Sequence, residues 1–170
     1  MTGEPPPPRR YRTRIGLAAV VGLVALGYFA RGAATEPHFV DESAYYAQSG
    51  YADLLLTDRN NPAWLDYAGY DLPPLPKYLI GGSLWAHGYP RPNPRATWEW
   101  YKDTRRRFET PVSLTAARIP SVIVGAIGCV AIFALATIPL GPVAGLTAAF
   151  LLMINPLYLI HSRRAMSDVP

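Results

Sequence analysis

Cysteine is almost missing from this chain: its 170 residues hold one, Cys129, inside an apolar block. No intrachain disulfide can form, and the sequence does not report a redox compartment. Charge is scarce too, at 16% of residues, and the net charge of +4 is scattered rather than gathered with aromatics into a basic stripe. A nucleic-acid surface needs such a stripe, so nucleic acid is set aside as a partner. No residue is assigned to a metal, and a divalent metal requirement stays open. Charge is wholly absent from three stretches, Ile15–Ala30, Ile119–Ile138 and Val143–Ile160. Chain-wide averages resemble those of a single soluble domain. They mislead, because the 50% of hydrophobic residues are concentrated in these blocks.

What is present starts with Glu4-Pro5-Pro6-Pro7-Pro8, which favours polyproline II. Residues 1–14 read as a disordered cytoplasmic tail in which Arg9, Arg10, Arg12 and Arg14 crowd against the first apolar run. That run, 15–30, is a little short of the roughly 20 residues a membrane span needs. Tyr28 and Phe29 suit an interfacial aromatic belt. A cleaved signal peptide competes, with Gly32-Ala33-Ala34 as its cleavage site. A retained helix is favoured because Gly16, Ala18, Gly22 and Gly27 supply small-residue packing faces.

Residues 31–117 form a long polar segment rich in aromatics and proline. A short helix is expected from Glu42 to Gln48, stopped at Gly50. Asp58-Arg59-Asn60-Asn61-Pro62 reads as a turn. Leu72-Pro73-Pro74-Leu75-Pro76-Lys77 reads as stiff and extended, feeding an amphipathic helix through Leu79 and Leu84 to His87. Trp98, Tyr101, Arg105 and Phe108 recur on one helical face, which suits a membrane interface or a soluble surface helix.

The region 118–160 reads as a transmembrane hairpin of two helices, 119–138 and 143–160, with Pro139-Leu140-Gly141-Pro142 as its turn. A buried soluble hairpin is the alternative. The expected fold is therefore an all-α membrane protein with about three transmembrane helices and a long external segment of short amphipathic helices. The arginines before Ile15 place the N-terminus in the cytoplasm, with 31–117 and 161–170 outside. If the organism is bacterial, the membrane is the plasma membrane. Arg118, Arg163 and Arg164 then flank helix ends on the external face, where positive charge is disfavoured, and binding an anion there would account for them.

Between the first run and the polar segment lies His38-Phe39-Val40-Asp41-Glu42-Ser43, with two adjacent carboxylates near the expected water boundary. Locally, Asp41 also fits a helix N-cap, with Glu42 favourable in the first turn.

The order and spacing of Asp41-Glu42, Pro73-Pro74-Leu75-Pro76-Lys77-Tyr78-Leu79 and His161-Ser162-Arg163-Arg164-Ala165-Met166-Ser167-Asp168 around three apolar runs resemble a known pattern. It is that of the protein O-mannosyltransferases and the lipid A aminoarabinose transferases, integral-membrane glycosyltransferases of the C-type fold. The resemblance spans residues 12–170 and departs at Leu72, where the family often has histidine. Family members continue through many more membrane helices, so the chain reads as a truncated N-terminal fragment of a larger polytopic fold, inactive alone. The resemblance implies transfer of a sugar, mannose-like or other, from a polyprenyl-phosphate-linked donor to a hydroxyl acceptor on protein, lipid or glycan. Asp41 would then be the catalytic base, Glu42 would orient the acceptor, and Asp168 would complete the acidic set. Lys77, Arg163 and, more weakly, Arg164 would hold the donor phosphate. The chemistry agrees: phosphate leaves as a stable anion, so the site needs a base and cations but no acid for the leaving group. The alternatives are a non-catalytic membrane protein with a partner-binding external segment, and a secreted domain.

Overall fold

The computed structural model describes residues 8–91 and 111–165, and among these it is helical, with no strand. In chain order the elements are α1 (Pro8–Ala33), α2 (Val40–Gln48), α3 (Tyr51–Thr57), a 3₁₀ turn (Pro62–Leu65), α4 (Tyr67–Tyr70), α5 (Pro74–Ala86), α6 (Pro111–Leu140), α7 (Pro142–Ile154) and α8 (Pro156–His161). The expected aromatic face at 98–108 and the C-terminal Asp168 lie outside the described residues.

Two of these helices, α1 and α6, are long and apolar enough to cross a membrane. Their 26 and 30 residues correspond to roughly 39 and 45 Å of axial rise. They pack antiparallel through a narrow stripe. Val21, Ala25, Phe29 and Ala33, four residues apart along α1, bury against Val122, Ala126, Cys129 and Phe133 of α6. Gly22 receives the Val130 methyl, so the backbones approach where a larger residue would hold them apart. Beside this stripe, α1, α6 and the start of α7 carry large apolar side chains in the open. Leu23, Ile127, Ile138 and Val143 are 61–79% exposed, a surface that water would penalise and lipid would not.

The structure corrects several sequence-derived boundaries. Helix α1 begins at Pro8, inside the expected tail, because proline fits a first helical position and the arginines beyond it are good helix formers. Helix α6 starts at Pro111 and runs through Pro139 to Leu140, so the hairpin connection is Gly141 alone, at φ 88°. The expected 143–160 helix is two helices. Pro156 has no N–H to continue α7, and Asn155 adopts an extended backbone while its side chain accepts the Tyr158 N–H at 3.1 Å. The new direction brings Tyr158 into the core, where its hydroxyl donates to the Gly125 carbonyl at 2.7 Å.

The polar segment docks on the first turns of α6. Pro120 cannot donate to the Ala116 carbonyl four residues back. The Ser83 hydroxyl of α5 donates to that carbonyl instead, at 2.6 Å. Around this link Tyr45, Tyr46, Ile80, Leu84, Ala116, Ala117 and Ala165 form a second apolar cluster. Gly81 lies against the Ser49 carbonyl, where any Cβ would collide with backbone. The proline run is not wholly extended: only Pro73 is, at φ −49° and ψ 134°, and α5 begins at Pro74. Lys77 is therefore a residue of the first helical turn.

Candidate functional site

The acidic pair opens α2, but its two carboxylates have opposite surroundings. Phe39 is the N-cap, so Asp41 is the second helical residue and is not itself the cap. It is exposed, and as an anion it is favoured by the helix N-terminus. Glu42 is fully buried. Its Oε2 accepts the Phe39 N–H at 3.0 Å, closing the turn on itself.

Arg118 lies opposite Glu42, 1% exposed. Its Nε donates to Glu42 Oε1 and its Nη2 to Glu42 Oε2, both at 2.7 Å. Nη1 donates to the carbonyls of Ala33 at 2.7 Å and Glu36 at 2.8 Å, and Nη2 also donates to Pro37 at 3.1 Å. These bonds match the five N–H donors of a guanidinium. Glu42 Oε1 accepts one more bond, from the Ala165 N–H at 2.7 Å. Glu42 therefore takes four hydrogen bonds, the capacity of a carboxylate. The expected role of Glu42 in orienting an acceptor does not fit this geometry, because no lone pair is left over for a substrate. Sequence reasoning grouped Arg118 with Arg163 and Arg164 as cations on the disfavoured side that would bind an anion, and did not pair it with Glu42. The available signal was a lone arginine at the start of an apolar run in a chain carrying an acidic pair.

Arg163 and Arg164 gather near the C-terminal end of α1. Arg163 packs its guanidinium over the Tyr28 ring, 5.0 Å from its centroid, and its Nη2 donates to the Tyr28 carbonyl at 3.1 Å. It lies against Gly32, where a Cβ would overlap it. Arg164 sits 4.3 Å above the Phe39 ring, with Nη2 at 3.6 Å from Glu36 Oε1. Both side chains are partly exposed. Among the described residues, the Nε atoms of both and His161 Nδ1 have no hydrogen-bond partner. The shared contacts with α1 and the 36–42 turn bring Asp41, Arg163 and Arg164 to one end of the bundle. Arg163 also bonds a carbonyl of the α1 C-terminal turns, which attract cations in any helix.

Lys77 is placed apart from that group. It is fully buried, and its Nζ donates to the Ala68 and Gly69 carbonyls at 3.1 and 3.0 Å. It also stands 5.2 Å from the Tyr51 ring centroid. Burial pushes its pKa down from 10.5 to about 8, partly opposed by Asp71. Tyr51, whose hydroxyl donates to the Ala63 carbonyl at 2.9 Å, is pushed up to about 12 by burial and by Asp66. The contacts of Lys77 and those of the two arginines share no residue. Among the described residues no cluster of histidine, cysteine and carboxylate side chains could hold a metal ion.

No protein-family model, no curated protein and no solved structure matches this chain.

Proposed function

We propose that this chain carries the donor-binding and proton-accepting segment of a membrane-embedded glycosyltransferase. It would move a sugar from a polyprenyl-phosphate-linked donor to a hydroxyl group at the external face. The observation that carries the reading is the shared anchoring of an exposed carboxylate and two cations. Asp41 precedes the saturated Glu42, and Glu42 accepts the N–H of Ala165, the residue after Arg163-Arg164. A base in water beside cations near the end of a long apolar helix is the minimum such chemistry requires. In this reading α1, α6 and the bent α7–α8 arm are three crossings, and the N-terminus is cytoplasmic. The polar segment and 161–165 are external, and the lipid bilayer covers the exposed apolar faces. Arg118 spends its charge on the buried Glu42 carboxylate and is not offered to an external anion. Asp41 takes the acceptor proton, while Arg163 and Arg164 face the phosphate as the sugar leaves. Lys77 is given a different task from the one the resemblance implies: its ammonium fastens α4 to α5 and is not offered to the phosphate.

The test uses the whole protein in lipid nanodiscs with a panel of polyprenyl-phosphate-linked sugars. Asp41→Asn should leave insertion intact and lower transfer by about 10²–10⁴-fold, the usual worth of a general base. Arg163→Ala should weaken binding of undecaprenyl phosphate, the sugar-free probe, by about tenfold or more. Full activity in Asp41→Asn would remove the base from the proposal. Unaltered phosphate binding, with loss only of inserted protein, would make Arg163 a cation for the α1 terminus and headgroups.

A further inference from the structure

Through Glu42, Arg118 reaches both halves of the proposed site without being free to touch a substrate. Around it the partners are sorted by polarity. The guanidinium faces three carbonyls, those of Ala33, Glu36 and Pro37, and the Glu42 carboxylate faces two N–H groups, those of Phe39 and Ala165. Four separate stretches of chain meet there: the end of α1 with the link that follows it, the start of α2, the first turns of α6, and the turn after α8. The residue next to Glu42 is Asp41, and the two residues before Ala165 are Arg163 and Arg164.

We propose that Arg118 is a positioning residue that sets the distance between the base Asp41 and the phosphate-facing Arg163 and Arg164, an inference that rests on the function proposed above. A simple ion pair would hold two segments by charge alone. Here directed bonds from Arg118 orient the Glu42 carboxylate, and that carboxylate in turn fixes the 39–42 turn through the Phe39 N–H and the 163–165 turn through the Ala165 N–H. Lysine, a compact ammonium with three donors, cannot reach five acceptors in a plane. The polarity sorting adds a second consequence. Exchanging the charges, Glu42→Arg with Arg118→Glu, would aim a carboxylate at three carbonyls and a guanidinium at two N–H groups. That double variant should therefore fail to restore what either single variant loses, whereas a plain salt bridge would be rescued.

The experiment compares Arg118→Lys, the isosteric Glu42→Gln and the exchanged double variant with the parent, all as whole protein in nanodiscs. Three readouts are taken. Amide hydrogen exchange at Phe39 and Ala165 should quicken at least tenfold in each variant while the middle of α6 stays protected. Undecaprenyl phosphate should bind about tenfold more weakly. On the donor that supports transfer, kcat should fall roughly 10–100-fold, the scale of an ångström-sized misplacement. Quickened exchange with parental kcat, KM and phosphate affinity would make Arg118 a fold clamp and overturn the positioning role. Unchanged exchange at Ala165, or rescue by the exchanged pair, would also overturn it. Should Arg118→Lys give no folded protein, Glu42→Gln yields the same three measurements. Failure of the function itself reads differently: the parent would transfer from no donor in the panel, or Asp41→Asn would stay fully active, whatever the Arg118 variants do.

Discussion

Arg118 and Lys77 are both fully buried cations, yet the protein stabilises them by different means. Arg118 has a carboxylate in front of it and a hydrogen bond for every donor. Lys77 has two carbonyls and an aromatic ring but, among the described residues, no ion pair, and burial loosens its proton. A buried cation with a charged partner keeps its charge at any ordinary pH. One held by dipoles alone stays charged at a cost that depends on pH. The first suits a permanent joint between distant segments. The second suits a local fastening, and Lys77 joins stretches only eight and nine residues apart.

The largest expected effect tests the joint. Arg118→Met leaves Glu42 buried without its counter-charge, and the loss should be about 3–5 kcal/mol, the usual result of removing one partner of a buried pair. Denaturant titration in mild detergent measures it, and a loss under about 1 kcal/mol would mean that water already reaches Glu42. A smaller effect is expected at the fastening. Lys77→Met orphans the Ala68 and Gly69 carbonyls, at about 1–3 kcal/mol, but also removes a poorly solvated charge, so the lower half of that range is expected. Equal losses in the two variants would erase the contrast drawn here.

The smallest effect sharpens the contrast through pH. The folded Lys77 titrates near 8 and the unfolded one near 10.5, so between these values the unfolded chain binds more protons and stability rises with pH. The gain is at most about 1.4 kcal/mol per pH unit. Tyr51 acts in the other direction, its folded value of about 12 lying above the ordinary 10, so it removes stability above pH 10. The stability gap between parent and Lys77→Met should therefore widen from pH 7.5 to 9.5, as followed by thermal melting. A constant gap for Lys77→Met would mean that its amine is hydrated.

The apolar helices were legible in the sequence because length and absence of charge are local properties of a run, as 15–30 and 119–138 illustrate. Their ends were less so. Pro8 and Pro111 both start helices, a position where proline is favoured, while Pro156 ends one helix and starts the next. Periodicity does not distinguish those uses without the neighbouring Asn155 cap. At the candidate site, the sequence could present Asp41 and Glu42 as a pair but not separate their roles, because that depends on partners 76 and 123 residues away. Lys77 was misjudged for a related reason. The proline run before it suggests an exposed, extended loop, whereas Pro74 sits inside α5 and turns the lysine inward toward Tyr51.

The bond from Ala165 to Glu42 also sets a schedule. A ribosome adding about 5–20 residues per second needs roughly 6–25 s to cover the 123 positions between them, and Arg118 appears partway through that interval. Until then the start of α2 has its own turn but neither of its long-range partners. The acidic turn is thus among the last parts of this chain to close, and the stretch made early waits for the stretch made late. A chaperone or membrane insertase that shields a lone carboxylate would have its window of action there.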